Sequence, residues 1–138
     1  LLQAKQAADL HTPGFNQRLV AEVLKGGFLE RHVPTIRALY KQQRDAMLRA
    51  LEREMPGLGV HWNSPQGGMF LWLRLPEGMN ATTLLPQAVE RNVAFVPGAA
   101  FYAGQGDERT LRLSFVTSTT AQIDAGIAAL AATIRAAA

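Results

Sequence analysis

Hydrophobic positions change their period along the chain, and each change marks a new element. Ile36, Tyr40, Met47, Leu51 and Met55 recur at helical spacing, with Gln43 as the one polar member of the stripe. Spacings of three and four place these side chains on one face of a helix. The pattern predicts a long helix over about 28–55, stopped by Pro56-Gly57, with Pro34 breaking or kinking its early part. Ahead of it, residues 1–10 read as the tail of a helix. Thr12-Pro13 reads as a restart, with Thr12 as N-cap and Pro13 at the first helical position. The restarted helix carries Leu19, Val20, Val23 and Leu24 and ends at Gly26-Gly27.

Beyond Gly57 the period becomes two. A short strand is predicted over 60–62, a turn over 63–68 and a strand over 69–75 with apolar residues on both faces. Asn80 is placed to cap a helix to about Arg91, with Leu84, Leu85, Ala88 and Val89 inward. Residues 93–96 read as a short buried strand, Gly104-Gln-Gly106 as a flexible connection, and 110–116 as another strand. Thr119 and Gln122 have the spacing of a capping box for a last helix that buries Ile123, Ile127, Leu130 and Ile134. The predicted fold class is α/β, in the form of an α+β sandwich: a small mixed sheet of about four strands backed by helices.

Composition narrows the function. At 138 residues, 48% hydrophobic and 18% charged, the chain is long enough for one domain with a core and is far from disorder. It contains no cysteine, which excludes disulfides and thiolate metal ligands and suits a reducing, cytoplasmic setting. No apolar run reaches the roughly 20 residues of a membrane span, and the first residues do not form a signal peptide. No membrane partner is expected. A net charge of +3 raises the question of nucleic acid. However, Arg31, Arg37, Lys41, Arg44 and Arg49 are interleaved with Glu30, Asp45, Glu52 and Glu54, the pattern of a solvated helix face, and no nucleic-acid partner is expected. The chain opens without Met in a helical pattern, so a piece of a longer protein is expected.

The strongest chemical candidate is Arg112. It alternates with leucines in Thr110-Leu-Arg-Leu-Ser-Phe115, shortly after the loop Val96-Pro-Gly-Ala-Ala-Phe-Tyr102. A guanidinium offers a planar fork that meets a carboxylate with two parallel hydrogen bonds. The pattern equally allows an edge-strand arginine in water. Gly67-Gly68 before an apolar strand suits either a close backbone approach or an ordinary hairpin turn. Phe70, Phe101 and Tyr102 suit either a pocket wall or plain core. His11, His32 and His61 lack metal-ligand spacing, so no metal site is expected. There is no nucleophile elbow, no Walker spacing and no acid/base dyad. The residues alone indicate a ligand-binding α+β domain.

Four ordered stretches then resemble a known family. Gly27-Phe28 with 32–40 and 43–47, Pro65-Gln-Gly-Gly-Met-Phe-Leu-Trp72, residues 95–102, and Leu111-Arg-Leu-Ser-Phe115 are similar to the C-terminal part of fold-type I pyridoxal-phosphate aminotransferases, class I/II. The likeness is greatest to the branch of 2-aminoadipate, aromatic and kynurenine-type enzymes. It implies the C-terminal domain of a PLP-transferase fold, with residues 1–27 continuing from a larger upstream domain and 28–138 forming the small domain with its connecting helix. It also implies pyridoxal 5'-phosphate as cofactor, amino-acid and 2-oxo-acid substrates such as 2-oxoglutarate, and a homodimeric parent, since residues 10–17 resemble a stretch near the dimer interface. Arg112 would grip the substrate α-carboxylate, with Phe101, Phe70, Gly68 and Met69 around the substrate. Ala99 stands where relatives often carry a polar residue. The lysine that bears the cofactor would lie upstream of Leu1, since Lys5, Lys25 and Lys41 match no motif. The chain alone would therefore supply no catalytic residue and be inactive. The resemblance leaves one other parent open, a winged-helix transcription regulator with an aminotransferase-like effector domain.

Overall fold

The computed structural model describes residues 1–137, which form two compact units, Leu1–Arg37 and a second from Ala38 onward. In the first unit, α1 (Leu2–Ala8) and α2 (Gly14–Leu24) bury no residue. The α2 N-cap is Pro13, one position later than expected, and it makes no side-chain cap. The carbonyl of Thr12 instead accepts from Gln17 Nε2 at 2.8 Å. Gly26 and Gly27 both take positive φ, +68° and +72°, where a Cβ would be strained, and so end the helical run.

Helix α3 (Phe28–Glu54) begins in the first unit and ends in the second. Of the break or kink expected at Pro34, the break does not occur: the helix runs through that residue. Proline removes one N–H from the ladder, and a helix this long continues on the bonds at either side.

The second unit is a four-stranded sheet with helices on one face. Strands β1 (His61–Trp62), β2 (Phe70–Arg74), β3 (Val96–Pro97) and β4 (Thr110–Ser114) lie in the order β1-β2-β4-β3. Every pairing is antiparallel, so the sheet is not mixed. The reason lies in the connection. Helix α4 (Ala81–Glu90) carries the chain from β2 to a parallel β3, but β4 inserts between them and runs against both. The strand expected over 93–96 is displaced to Val96–Pro97, and Val96 is exposed. Asn92 adopts φ +60° and Val93 N–H donates to Ala88 O, which ties the first of those residues to the end of α4.

Period-two alternation sends Leu71, Leu73, Leu111 and Leu113 to one face. There they meet Met47 and Leu51 of α3, Leu84 of α4, and Ile127 and Leu130 of α5 (Thr120–Ala137) in one core. Val89, expected inward, is exposed, while Leu85 packs on the core's edge. The two caps form as the sequence implies. Thr119 N–H donates to Gln122 Oε1 at 2.8 Å, and Gln122 N–H donates back to Thr119 Oγ1 at 3.2 Å. Asn80 Oδ1 accepts from both Thr82 and Thr83 N–H. Asn80→Ala is expected to cost about 1 kcal/mol, read as a lower urea midpoint at unchanged slope.

Candidate functional site

The sheet face turned away from the core carries the chemistry. Register places Trp72 directly opposite Arg112 across β2 and β4, Val96 opposite Arg112 on its other side, and Phe70 opposite Ser114. Partners directly opposite in an antiparallel ladder share a face. Aromatic rings therefore flank a single guanidinium.

The guanidinium carbon of Arg112 sits 4.0 Å from the Phe70 ring centroid and 4.5 Å from that of Phe101. Such cation–π contacts stabilise the cation by about 0.5–1 kcal/mol each where water still reaches. They use none of its five N–H donors. Among the described residues Arg112 makes no hydrogen bond and no ion pair, and it is half-buried. Most other cations on the second unit have an oxygen partner: Lys41, Arg44, Arg53, Arg74 and Arg109 meet carboxylates, and Arg135 donates to Glu54 O, while the exposed Arg49 and Arg91 have none among the described residues. A positioned, partly desolvated cation with free in-plane donors is suited to a carboxylate.

Three local devices hold this arrangement. The first is the 3-10 turn Gly98–Phe101, which follows β3 and delivers Phe101 onto the sheet. A Cβ on Gly98 would lie 2.1 Å from Thr110 Oγ1 and 2.9 Å from the Thr110 carbonyl carbon, so only glycine lets the turn lie on β4. The second is the turn before β2. Gly68 takes φ +84°, and Arg44 donates to Pro65 O at 3.1 Å, fixing the approach to Phe70. The third is the start of β4. Asp107 accepts from Arg109 N–H and Nε, each at 3.0 Å, and pairs with Arg74 Nε at 2.9 Å. Thr110 Oγ1 donates to Asp107 O at 2.6 Å, linking this cluster to the residue under Gly98.

Hydrogen bonds from the Arg109 side chain and then its backbone N–H hold the Asp107 carboxyl below the usual range. A depressed carboxyl contributes stability that is present above its unfolded pKa and is lost as pH falls through the folded one. Acidification below the ordinary carboxylate range is therefore expected to weaken the fold. Asp107→Asn should lose that part of the acid dependence, compared by urea midpoints across a pH series.

Of the residues singled out from the sequence, Arg112, Phe70 and Phe101 come together. Gly68 and Met69 stand at the head of β2, outside the stacked group; Met69 offers its carbonyl to Phe115 N–H at 3.2 Å. Tyr102 lies 6.3 Å from the Trp72 ring, seated over Gly106. Sequence reasoning missed Trp72, Gly98 and Asp107. Alternation with Phe70 was the available signal for Trp72, whereas the contact of Gly98 with Thr110 has no local signal.

The face holds no group that could anchor a carbonyl cofactor. The chain's three lysines lie in or beside helices, each paired with a carboxylate: Lys5 with Asp9, Lys25 with Glu22, Lys41 with Asp45. No lysine lies on a strand or on residues 96–102. The charge and donors of this face fit a carboxylate, and among the described residues no lysine on it could give pyridoxal phosphate a covalent hold. Among the described residues no group of three or more His, Cys, Asp or Glu is placed to hold a metal, and no helix is long and apolar enough to cross a membrane.

Comparison with known proteins places the chain. It matches the family described as aminotransferase class I and II over residues 2–130. It is 51% identical over 127 residues to the 2-aminoadipate transaminase of Thermus thermophilus, covering 92% of this chain and 32% of that protein. Aromatic-amino-acid aminotransferase 1 of Thermococcus litoralis is 46% identical over 132 residues, 96% of this chain and 31% of that protein. The crystal structure of the Pyrococcus horikoshii kynurenine aminotransferase superposes with a TM-score of 0.88 at 46% identity, covering 97% of this chain and 33% of that one. The chain thus spans about a third of the length of the curated relatives it matches. With a family match over nearly its whole length, the chain belongs to the class I and II aminotransferases.

Proposed function

We propose that this chain is the C-terminal part of a pyridoxal-phosphate-dependent aminotransferase acting on 2-aminoadipate, aromatic or similar L-amino acids, with a 2-oxo acid such as 2-oxoglutarate as amino acceptor. Residues 1–27 continue from a larger upstream domain, and 28–138 are the small domain with its connecting helix. The observation that carries the reading is the Arg112 guanidinium, held between Phe70 and Phe101 with no anion of its own. Kinship to aminotransferases for aminoadipate and aromatic amino acids supports the substrate range.

In this reading Arg112 binds the substrate α-carboxylate through two in-plane N–H donors. Phe70 and Phe101 keep water from the guanidinium faces, which strengthens the pair and fixes the plane of the carboxylate. The bond from Cα to the carboxylate is then directed, and the remaining bonds at Cα are presented to groups outside this chain. The cofactor and the lysine that bears it come from the upstream domain, so the chain alone is inactive. Two copies of the full-length protein form the working dimer.

The test uses the full-length protein with its cofactor, to which glutamate, 2-aminoadipate and aromatic amino acids are added in turn. A changed cofactor absorbance with release of the matching 2-oxo acid is expected. An unchanged or merely shifted band with no oxo acid would favour a regulator that only senses the amino acid.

A further inference from the structure

We infer that Trp72 is a positioning residue for the carboxylate site, acting on Arg112 through Phe101. The inference rests on the reading that Arg112 receives the substrate carboxylate. Phe101 is the ring that needs support, since it rides on a short 3-10 turn and is 49% exposed. Its contacts include the Arg112 guanidinium at 4.5 Å and the Trp72 ring at 5.8 Å. The second is an edge-to-face pair, at an interplanar angle of 73°, the geometry aromatic quadrupoles prefer. A ring held by an edge on one side and pressed on a cation on the other has one seat.

Trp72 is itself firmly placed. It stands opposite Arg112 in the β2–β4 register. Its N–H donates to Asn63 Oδ1 at 2.8 Å and its carbonyl accepts from Asn63 N–H at 3.2 Å, so one asparagine closes both backbone groups beyond the end of β1. The same indole lies 6.3 Å from Tyr102, so both aromatic residues at the end of the 96–102 loop meet it. Phe70 reaches Arg112 from the β2 backbone, two residues from Trp72, and does not depend on the loop. Without the indole, Phe101 loses its seat and Arg112 keeps one ring of its pair. The guanidinium remains present and charged but samples more orientations, which weakens carboxylate capture more than any later step.

The experiment is a double-mutant cycle in the full-length holoenzyme with Trp72→Ala, Arg112→Ala and the pair, reading KM and kcat for 2-aminoadipate and phenylalanine. Trp72→Ala is expected to raise KM about tenfold, the equivalent of roughly 1.4 kcal/mol, with a smaller change in kcat. Trp72→Phe, which restores a ring edge, is expected to recover most of the loss. In the Arg112→Ala background the same substitution should add almost nothing, because the residue it acts through is gone. If Trp72→Ala does not fold, Trp72→Leu keeps the apolar bulk without the ring edge and carries the same cycle. Additive losses, or an unchanged KM with Arg112→Ala still strongly impaired, would overturn the role of Trp72 and leave the carboxylate reading standing. An Arg112→Ala enzyme with undiminished kcat/KM would overturn both.

Discussion

Arg112→Ala in the full-length protein is expected to lower kcat/KM for amino-acid substrates by about 10²- to 10³-fold, while the fold persists. The expectation follows from the account that this guanidinium is the carboxylate's partner. Truncating one member of a hydrogen-bonded charge pair in a partly desolvated site costs roughly 2–5 kcal/mol, because the other charge is left without a partner. A loss near 3–4 kcal/mol corresponds to those factors. Stability should change little, since Arg112 makes no ion pair among the described residues and its two ring contacts are modest. Relief from an unpaired cation between the rings offsets part of even that loss. Arg112→Lys should recover only a fraction of the activity, because an ammonium cannot offer the planar fork. Steady-state kinetics beside thermal melts separates the two effects.

The second large effect is expected at Gly98. An alanine Cβ there would meet Thr110 at 2.1 Å to Oγ1, 2.7 Å to Cβ and 2.9 Å to its carbonyl carbon. The last of these is backbone, so no rotamer change relieves it. Thr110 is fully buried, with its hydroxyl committed to Asp107 O, so it cannot retreat either. The 3-10 turn must therefore lift from β4, and with it the pairing of Val96 to Arg112 and the contact of Phe101 with Arg112. Overpacking of this kind costs about 1–3 kcal/mol. In a protein larger than this chain each kcal/mol is a drop of at most about 2–4 °C in Tm. Gly98→Ala should thus lower both Tm and substrate affinity, whereas Arg112→Ala lowers only the second. An alanine variant with native Tm and native KM would mean that the turn does not bear on the strand as described.

Much of the fold was legible because its signals are local. Asn80 and the Thr119–Gln122 pair form the caps their spacing implies, and the stripe from Gln43 to Leu51 is the buried face of α3, with Met55 buried just beyond its end. Where sequence reading went astray, a nonlocal effect decided. Pro34 suggested a break or a kink, and α3 continues through it without a break. The apolar run 93–96 looked like a strand, yet only its last residue reaches β4, because Asn92 and the bond from Val93 to Ala88 hold the rest at the end of α4. The sheet was expected to be mixed, and insertion of β4 between the parallel pair β2 and β3 makes it antiparallel. The site divides in the same way. Arg112 and its rings could be named from alternation and motif, and alternation with Phe70 also put Trp72 on their face; its place opposite Arg112 and the contact of Gly98 with Thr110 depend on what lies against β4, and register is a property of the folded sheet.

If Arg112 selects for the α-carboxylate, its removal must act on an amino acid and spare the same molecule lacking that group. The full-length protein and its Arg112→Ala variant would each be assayed with phenylalanine and with phenethylamine. The wild type is expected to prefer phenylalanine strongly, and the substitution to lower kcat/KM for phenylalanine about 10²- to 10³-fold while leaving the amine nearly unaffected. Equal losses on both substrates, or a preference for the carboxylate that survives the substitution, would contradict it.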